Sequence, residues 1–235
     1  IMKVQFENKV MSSVLLYLDN KILTKGEAYT NISGVALYPI TNHYNSIYSY
    51  GAPYKQLVAD TSIAGATVAS GVYQDGVFYE TGSAADLHSI NHYDGQWYFT
   101  GDKAGNTLTA NYAIKDFNVY LSNKSEEELL FETKFHTRPK TPQTLTGLES
   151  NQQTYPAVFV KNNGGKNEPI AFGGMDNTII DVRGVVLSDT AFSLDAVCSI
   201  LKDSVRTEIP IIDQSNLSFN SLGGSTSGYN YAVLS

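Results

Sequence analysis

Val72-Tyr73-Gln74-Asp75-Gly76-Val77-Phe78-Tyr79 decides the fold class. Two strand-forming runs flank an Asp-Gly pair, which tolerates the positive φ angles of a type I′ turn and so closes a two-residue hairpin. The pattern returns in Ile90-Asn91-His92-Tyr93, Asp94-Gly95, Gln96-Trp97-Tyr98-Phe99, where a two-residue turn would set His92 directly across from Trp97. A weaker version is Val14-Leu15-Leu16-Tyr17-Leu18, Asp19-Asn20, Lys21-Ile22-Leu23, with Asn in place of Gly. Adding strands at 34–39, 107–114 and 116–121, residues 11–136 read as an antiparallel β domain of sandwich or barrel type, preceded by an N-terminal arm, 1–10.

Composition agrees. The 235 residues include 16 Tyr and 19 Gly, and only 17% are charged, so the surface is built from Ser, Thr, Asn and Gly. Abundant Tyr, Thr and Val favour strands, and 42% hydrophobic content excludes a disordered chain. A net charge of -7 with no basic run argues against sequence-specific capture of nucleic acid. No apolar run approaches the ~18 residues of a membrane span. One cysteine, Cys198, and no export signal lead us to expect folding in a reducing cytoplasm.

The second half reads differently. Thr137-Arg138-Pro139-Lys140-Thr141-Pro142 carries two prolines, which disfavour both ladder and helix, and marks 137–154 as an extended crossing segment. A small α/β unit follows over 155–213. It holds a strand at 155–161, a Gly/Asn-rich loop at 162–167 and a strand at 179–187. One main helix comes next, N-capped by Ser193, with Phe192 stapled against Val197 and a stripe of Leu194, Val197, Cys198, Leu201 and Val205. Residues 209–213 read as a closing strand. The polar tail 214–235, with Tyr229, Tyr231, Val233 and Leu234 near its end, is too poor in apolar residues to form its own core and reads as a C-terminal arm across a neighbouring subunit.

No chemical motif stands out. His88, His92, Asp86 and Asp94 are the nearest approach to a metal cluster, but in a strand four residues span about 13 Å, so the structural reading is preferred and no metal is expected. Glu126-Glu127-Glu128 reads as a solvated turn, and Cys198 as an inert buried thiol on the helix stripe. The pairs Gly164-Gly165, Gly173-Gly174 and Gly223-Gly224 lack the spacing of a phosphate loop, so no cofactor is expected. Tyr44, Tyr48, Tyr50 and Tyr54 lie within eleven residues, suited either to a protein interface, where Tyr is enriched, or to a sugar platform. With Tyr229, Tyr231 and Leu234 they are the candidate interface residues. No residue is expected to be catalytic.

Three segments carry a resemblance. Leu16-Tyr17-Leu18-Asp19-Asn20; Glu127 to Phe131 with Thr133-Lys134 and Arg138-Pro139-Lys140; and Asn167-Glu168-Pro169-Ile170-Ala171-Phe172-Gly173-Gly174 leading to Leu194-Asp195-Ala196-Val197-Cys198-Ser199-Ile200 together resemble virion structural proteins of tailed bacteriophages. The similarity is to neck or head-to-tail connector proteins. It implies a non-enzymatic subunit of a closed ring, sixfold or twelvefold, stacked between a portal or adaptor side and a tail side, with DNA passing through an acidic lumen. The alternative class is a receptor- or carbohydrate-binding β module built on the Tyr44 to Tyr54 region.

Overall fold

The computed structural model describes residues 6–44, 46–83, 86–131, 135–137, 153–169, 176–204, 206–217 and 219–234. Two four-stranded antiparallel sheets face each other. One runs β1 (Tyr29–Ala36), β8 (Leu108–Lys115), β4 (Gly71–Gln74), β5 (Val77–Glu80); the other runs β2 (Tyr38–Tyr44), β3 (Ile47–Gly51), β7 (Gln96–Phe99), β6 (Leu87–Asn91). Because side chains alternate along a strand, each sheet sends one apolar set inward. Val72, Leu108, Ala110, Tyr112 and Ile114 meet Tyr50, Leu87, Ile90, Trp97 and Phe99 in one core. The buried Trp97 indole donates to Gly71 O at 3.0 Å, so its one polar atom is satisfied. The Asp75-Gly76 hairpin forms as the sequence implies: Gln74 opposes Val77, with φ of 51° and 85° at the turn.

A second, smaller layer carries the α/β unit. Its sheet runs β13 (Asp176–Leu187), β12 (Ala157–Pro169), β9 (Asn118–Leu121), with β12 parallel to β9 and antiparallel to β13. Val119, Val158 and Val160 on one face pack under α1 (Phe6–Lys25) and α3 (Ala191–Lys202) through Met11, Ile22 and Val197. The other face, with Tyr120, Phe159 and Val185, is covered at Leu129 by α2 (Glu126–Phe131). The chain is thus mainly β, a sandwich with a small α/β unit whose main C-terminal helix is α3. A short parallel pair, β10 (Phe135–Thr137) and β11 (Gln153–Tyr155), flanks the proline-containing segment, which from Arg138 on lies outside the described residues.

Several local expectations are corrected. The expected hairpin at 14–23 and the described part of the N-terminal arm, residues 6–10, form one helix, α1; residues 1–5 lie outside the described residues. Met11, Val14, Leu15, Leu18 and Ile22 already have helical spacing. Asp19 and Asn20, which resemble a turn, are instead buried on α1. Lys115 Nζ donates to both Asp19 carboxylate oxygens at 2.8 Å, and Asn20 donates to Asp60 at 2.8 Å. α3 is capped by Thr190, which accepts from Ser193 N at 3.1 Å; Ser193 therefore sits inside the first turn. Phe192 is 84% exposed and staples nothing, and Cys198 is exposed, because α3 buries only the narrow stripe of Val197 and Ile200. Residues 209–213 pair with no described strand, although Ile212 is buried and its N–H donates to Ser13 Oγ at 2.9 Å.

Candidate functional site

Two extended segments distinguish this molecule, and they behave in opposite ways. The first is the β12–β13 hairpin. The expected loop at 162–167 is strand: β12 continues to Pro169, and its ladder to β13 runs from Ala157↔Leu187 out to Pro169↔Asp176. An Asn/Gly run holds strand geometry here because a bulge between Asn162 and Gly165 absorbs Gly164, which has φ of 99°, while Ile179 and Ile180 supply strand propensity opposite. β9 stops pairing at Val160↔Leu121. Beyond it, the two-stranded ribbon runs on for roughly 25 Å. Residues 163–168, 177–179 and 181–184 are exposed, so neither face of this outer half is covered by the described chain. At its root, Arg183 pairs with Glu126 of α2. That acidic run is therefore a short helix: Ser125 N donates to Glu128 Oε2 at 2.6 Å and Ser125 Oγ accepts from Glu128 N at 3.2 Å, a reciprocal cap that holds the Glu128 carboxyl below its usual range.

The second segment is the tail from residue 212 onward. It lies along its own chain as a strap. Ser225 exchanges two backbone hydrogen bonds with Ile90, both 2.9 Å. Tyr229 N donates to Ala59 O at 2.9 Å, and Thr61 N donates to Tyr229 O at 2.7 Å. Tyr231, starting the terminal helix α4 (Tyr231–Leu234), packs with Tyr17 and Ile212, with Tyr229 and Leu234 beside them. Beneath the strap lies a buried carboxylate, Asp60, which accepts from Asn20 Nδ2, Ser62 N, Ser62 Oγ and Tyr231 N at 2.7 to 3.1 Å. Burial, with Asp19 and Asp60 nearby, pushes the Tyr229 hydroxyl well above its ordinary range. The tail is part of this subunit's own fold, and Tyr229, Tyr231 and Leu234 reach its interior. Backbone hydrogen bonds to Ile90, Ala59 and Thr61 hold this apolar-poor segment in place beside the Tyr231 cluster.

The central tyrosines divide likewise. Tyr50 and Tyr54 are core residues, Tyr54 edge-on to Tyr112 at 6.4 Å between ring centres. Tyr50 donates to Asp102 at 3.2 Å and accepts from Lys103 N at 3.1 Å. The Tyr44 side chain lies outside the described residues. Tyr48 is half-buried and lines a hollow of about 280 Å³ with Pro39, Asp102 and Asn106. Because Tyr48 and Tyr50 both turn toward the core and Tyr54 lies within it, these three rings do not form a surface platform.

The histidines are also separated. Asn91↔Gln96 closes a four-residue loop in place of a two-residue turn, and Ile90, not His92, opposes Trp97. His88 is exposed. His92 is buried against Ala69 O at 2.9 Å, with Nδ1 3.5 Å from Ser225 Oγ of the strap. Burial holds it neutral, pushed down to about 4. Among the described residues no three His, Cys, Asp or Glu side chains gather as metal ligands. A groove of about 450 Å³ at the root of the hairpin is lined by Ile22, Phe117, Val197 and Ile200 together with Glu27, Asp116, Asp189 and Ser193. Comparison with models of known families, with curated proteins and with solved structures finds no match to this chain.

Proposed function

We propose that the chain is a structural subunit of a tailed-bacteriophage virion, closing into a sixfold or twelvefold ring at the head-to-tail connection, between a portal or adaptor side and the tail. The segments quoted above supply the resemblance; the observation that carries the assembly role is the projecting β12–β13 hairpin. A two-stranded ribbon with both faces wet is marginal by itself, and about 25 Å of it extends past the last flanking strand. Its natural support is a neighbour. Large apolar side chains near its root, Phe131 at 81% exposure and Phe192 at 84%, are further surface for such a neighbour to cover. A ring needs a heterologous contact repeated about an axis, and an arm reaching beyond its own body supplies one. The reading assigns no catalytic residue, cofactor or metal.

Native mass spectrometry with negative-stain imaging of the purified chain tests this. Rings of six or twelve copies are expected, and a variant with residues 162–182 replaced by a two-residue turn should remain folded and monomeric. Unchanged assembly without the outer hairpin would contradict the reading.

A further inference from the structure

The two edges of the hairpin are unequally protected. Open strand edges invite pairing with another chain, and proteins blunt them with bulges, prolines and lysines. β12 has all three: the bulge at Asn162 to Gly165, Pro169, and Lys161 with Lys166. β13 has none. Its sequence, DNTIIDVRGVVL, contains no proline and no lysine, and it carries no bulge of its own. No described strand pairs with its outer edge. Ile179 and Val182 stand 38% and 41% exposed on it.

Its charges choose the partner. Asp181 and Arg183 lie on one face of β13, since side chains alternate. Arg183 sits across from Lys161 on β12 and is relieved by Glu126; Asp181 has no ion-pair partner among the described residues. Suppose a second β13 runs antiparallel along the open edge. Centred on Val182, the register sets Asp181 of each copy against Arg183 of the other, Val182 against itself, and Ile179 against Val185. Shifting the centre to Asp181 or to Arg183 opposes like charges, and shifting it further separates the charges altogether. One register among the neighbouring ones is both neutralised and apolar at its centre.

We infer that β13 pairs with β13 of a second copy, antiparallel about a two-fold axis at Val182, joining two three-stranded sheets into one of six. The inference deepens the reading of the hairpin as an assembly element and rests on it. A two-fold contact is isologous and therefore distinct from the head-to-tail contact that closes a ring; it pairs free subunits or joins two rings face to face.

The register is directly testable. In a Cys198→Ser background, Val182→Cys places two thiols at the directly opposed position, where antiparallel Cα atoms stand about 4.5–5.5 Å apart, within disulfide range. Mild oxidation should then give a covalent dimer, whereas Ile180→Cys, opposed to Gly184, should give almost none. Asp181→Arg and Arg183→Asp should each weaken the dimer about tenfold, because each turns two attractive cross-strand pairs into repulsive ones. Mixing the two variants should restore pairing, and only between unlike chains. The pairing is overturned if both thiol variants cross-link equally, if the charge reversals leave assembly unchanged, or if the wild-type chain is monomeric. Rings that survive both reversals would remove the two-fold pairing while leaving the ring reading intact; a cross-linked dimer without rings would do the opposite.

Discussion

The C-terminal strap and the β12–β13 hairpin invert what their sequences suggest. The strap is rich in Ser, Gly and Asn, yet it is knitted to its own subunit through Ser225, Tyr229 and Tyr231. The hairpin contains the Ile179-Ile180 and Val185-Val186-Leu187 runs, yet its outer half stands in solvent. Apolar content reports how much surface a segment can bury, and backbone hydrogen-bond partners report where it is held. In the strap the hydrogen bonds place the chain where Tyr229, Tyr231 and Leu234 pack; in the outer hairpin apolar side chains such as Val182 are left exposed.

Removing each segment should separate the two roles most sharply. Deleting 214–235 strips Tyr229, Tyr231 and Leu234 from their cluster and leaves Asp60 short of a donor. At about 1.5–3 kcal/mol per buried large side chain, the loss approaches the whole stability of a domain, and circular dichroism should find the variant largely unfolded. Shortening the hairpin should leave the melting curve of the isolated subunit almost in place.

A single atom group tests the strap next. Asp60→Ala leaves Asn20, Ser62 and the Tyr231 N–H without their acceptor in a buried site, at a cost of about 3 kcal/mol, read by urea denaturation. Asp60→Asn, which keeps an acceptor oxygen, should cost less. Equal stability of Asp60→Ala and wild type would detach the strap from the core.

The pH dependence has a sign fixed by His92. Its folded value lies at about 4 against 6.5 in the open chain, through burial first and Lys115 in addition, opposed by the bond to Ala69. The unfolded state therefore takes up the proton first as pH falls. The contribution is full above about pH 6.5 and is lost between 6.5 and 4, about 3 kcal/mol in all. His92→Gln should flatten that slope in denaturation series at stepped pH. Because Ser225 Oγ faces the same ring, the strap should loosen over the same interval.

The smallest effect belongs to the hairpin. Ile179→Ser or Val182→Ser should change the stability of the isolated subunit by no more than about 0.5 kcal/mol, as for other exposed positions, although both lie in the strongest strand-forming run of the second half. A loss above about 2 kcal/mol would mean that this ribbon is packed within its own subunit.

Much of the architecture is legible in the sequence. The Asp75-Gly76 turn, the strand at 107–114 and the helix after residue 190 are local signals, and each forms close to where those signals put it. What sequence reading loses is set by distant partners. Asp19-Asn20 resembles a turn until Lys115 and Asp60 are brought beside it, and these lie far along the chain. The bulge that keeps Asn162 to Asn167 in a strand depends on Ile179 and Ile180 opposite. Of the seven candidate interface residues, Tyr50, Tyr54 and Tyr231 are buried within the subunit; aromatic clustering in sequence marks core and surface alike. The open edge of β13 is legible in a strand that runs from Asp176 to Leu187 without a lysine or a proline.

Amide hydrogen exchange on the isolated subunit and on its assembled form tests the contrast most directly. In the isolated subunit, the amides of Ser225, Tyr229 and Tyr231 should show protection close to that of Trp97 in the sandwich core, while the outward amides of β13 between Asn177 and Gly184 exchange freely. On assembly, the β13 amides alone should gain protection. Free exchange at Ser225 and Tyr229 in the isolated subunit, with β13 already protected there, would contradict the account.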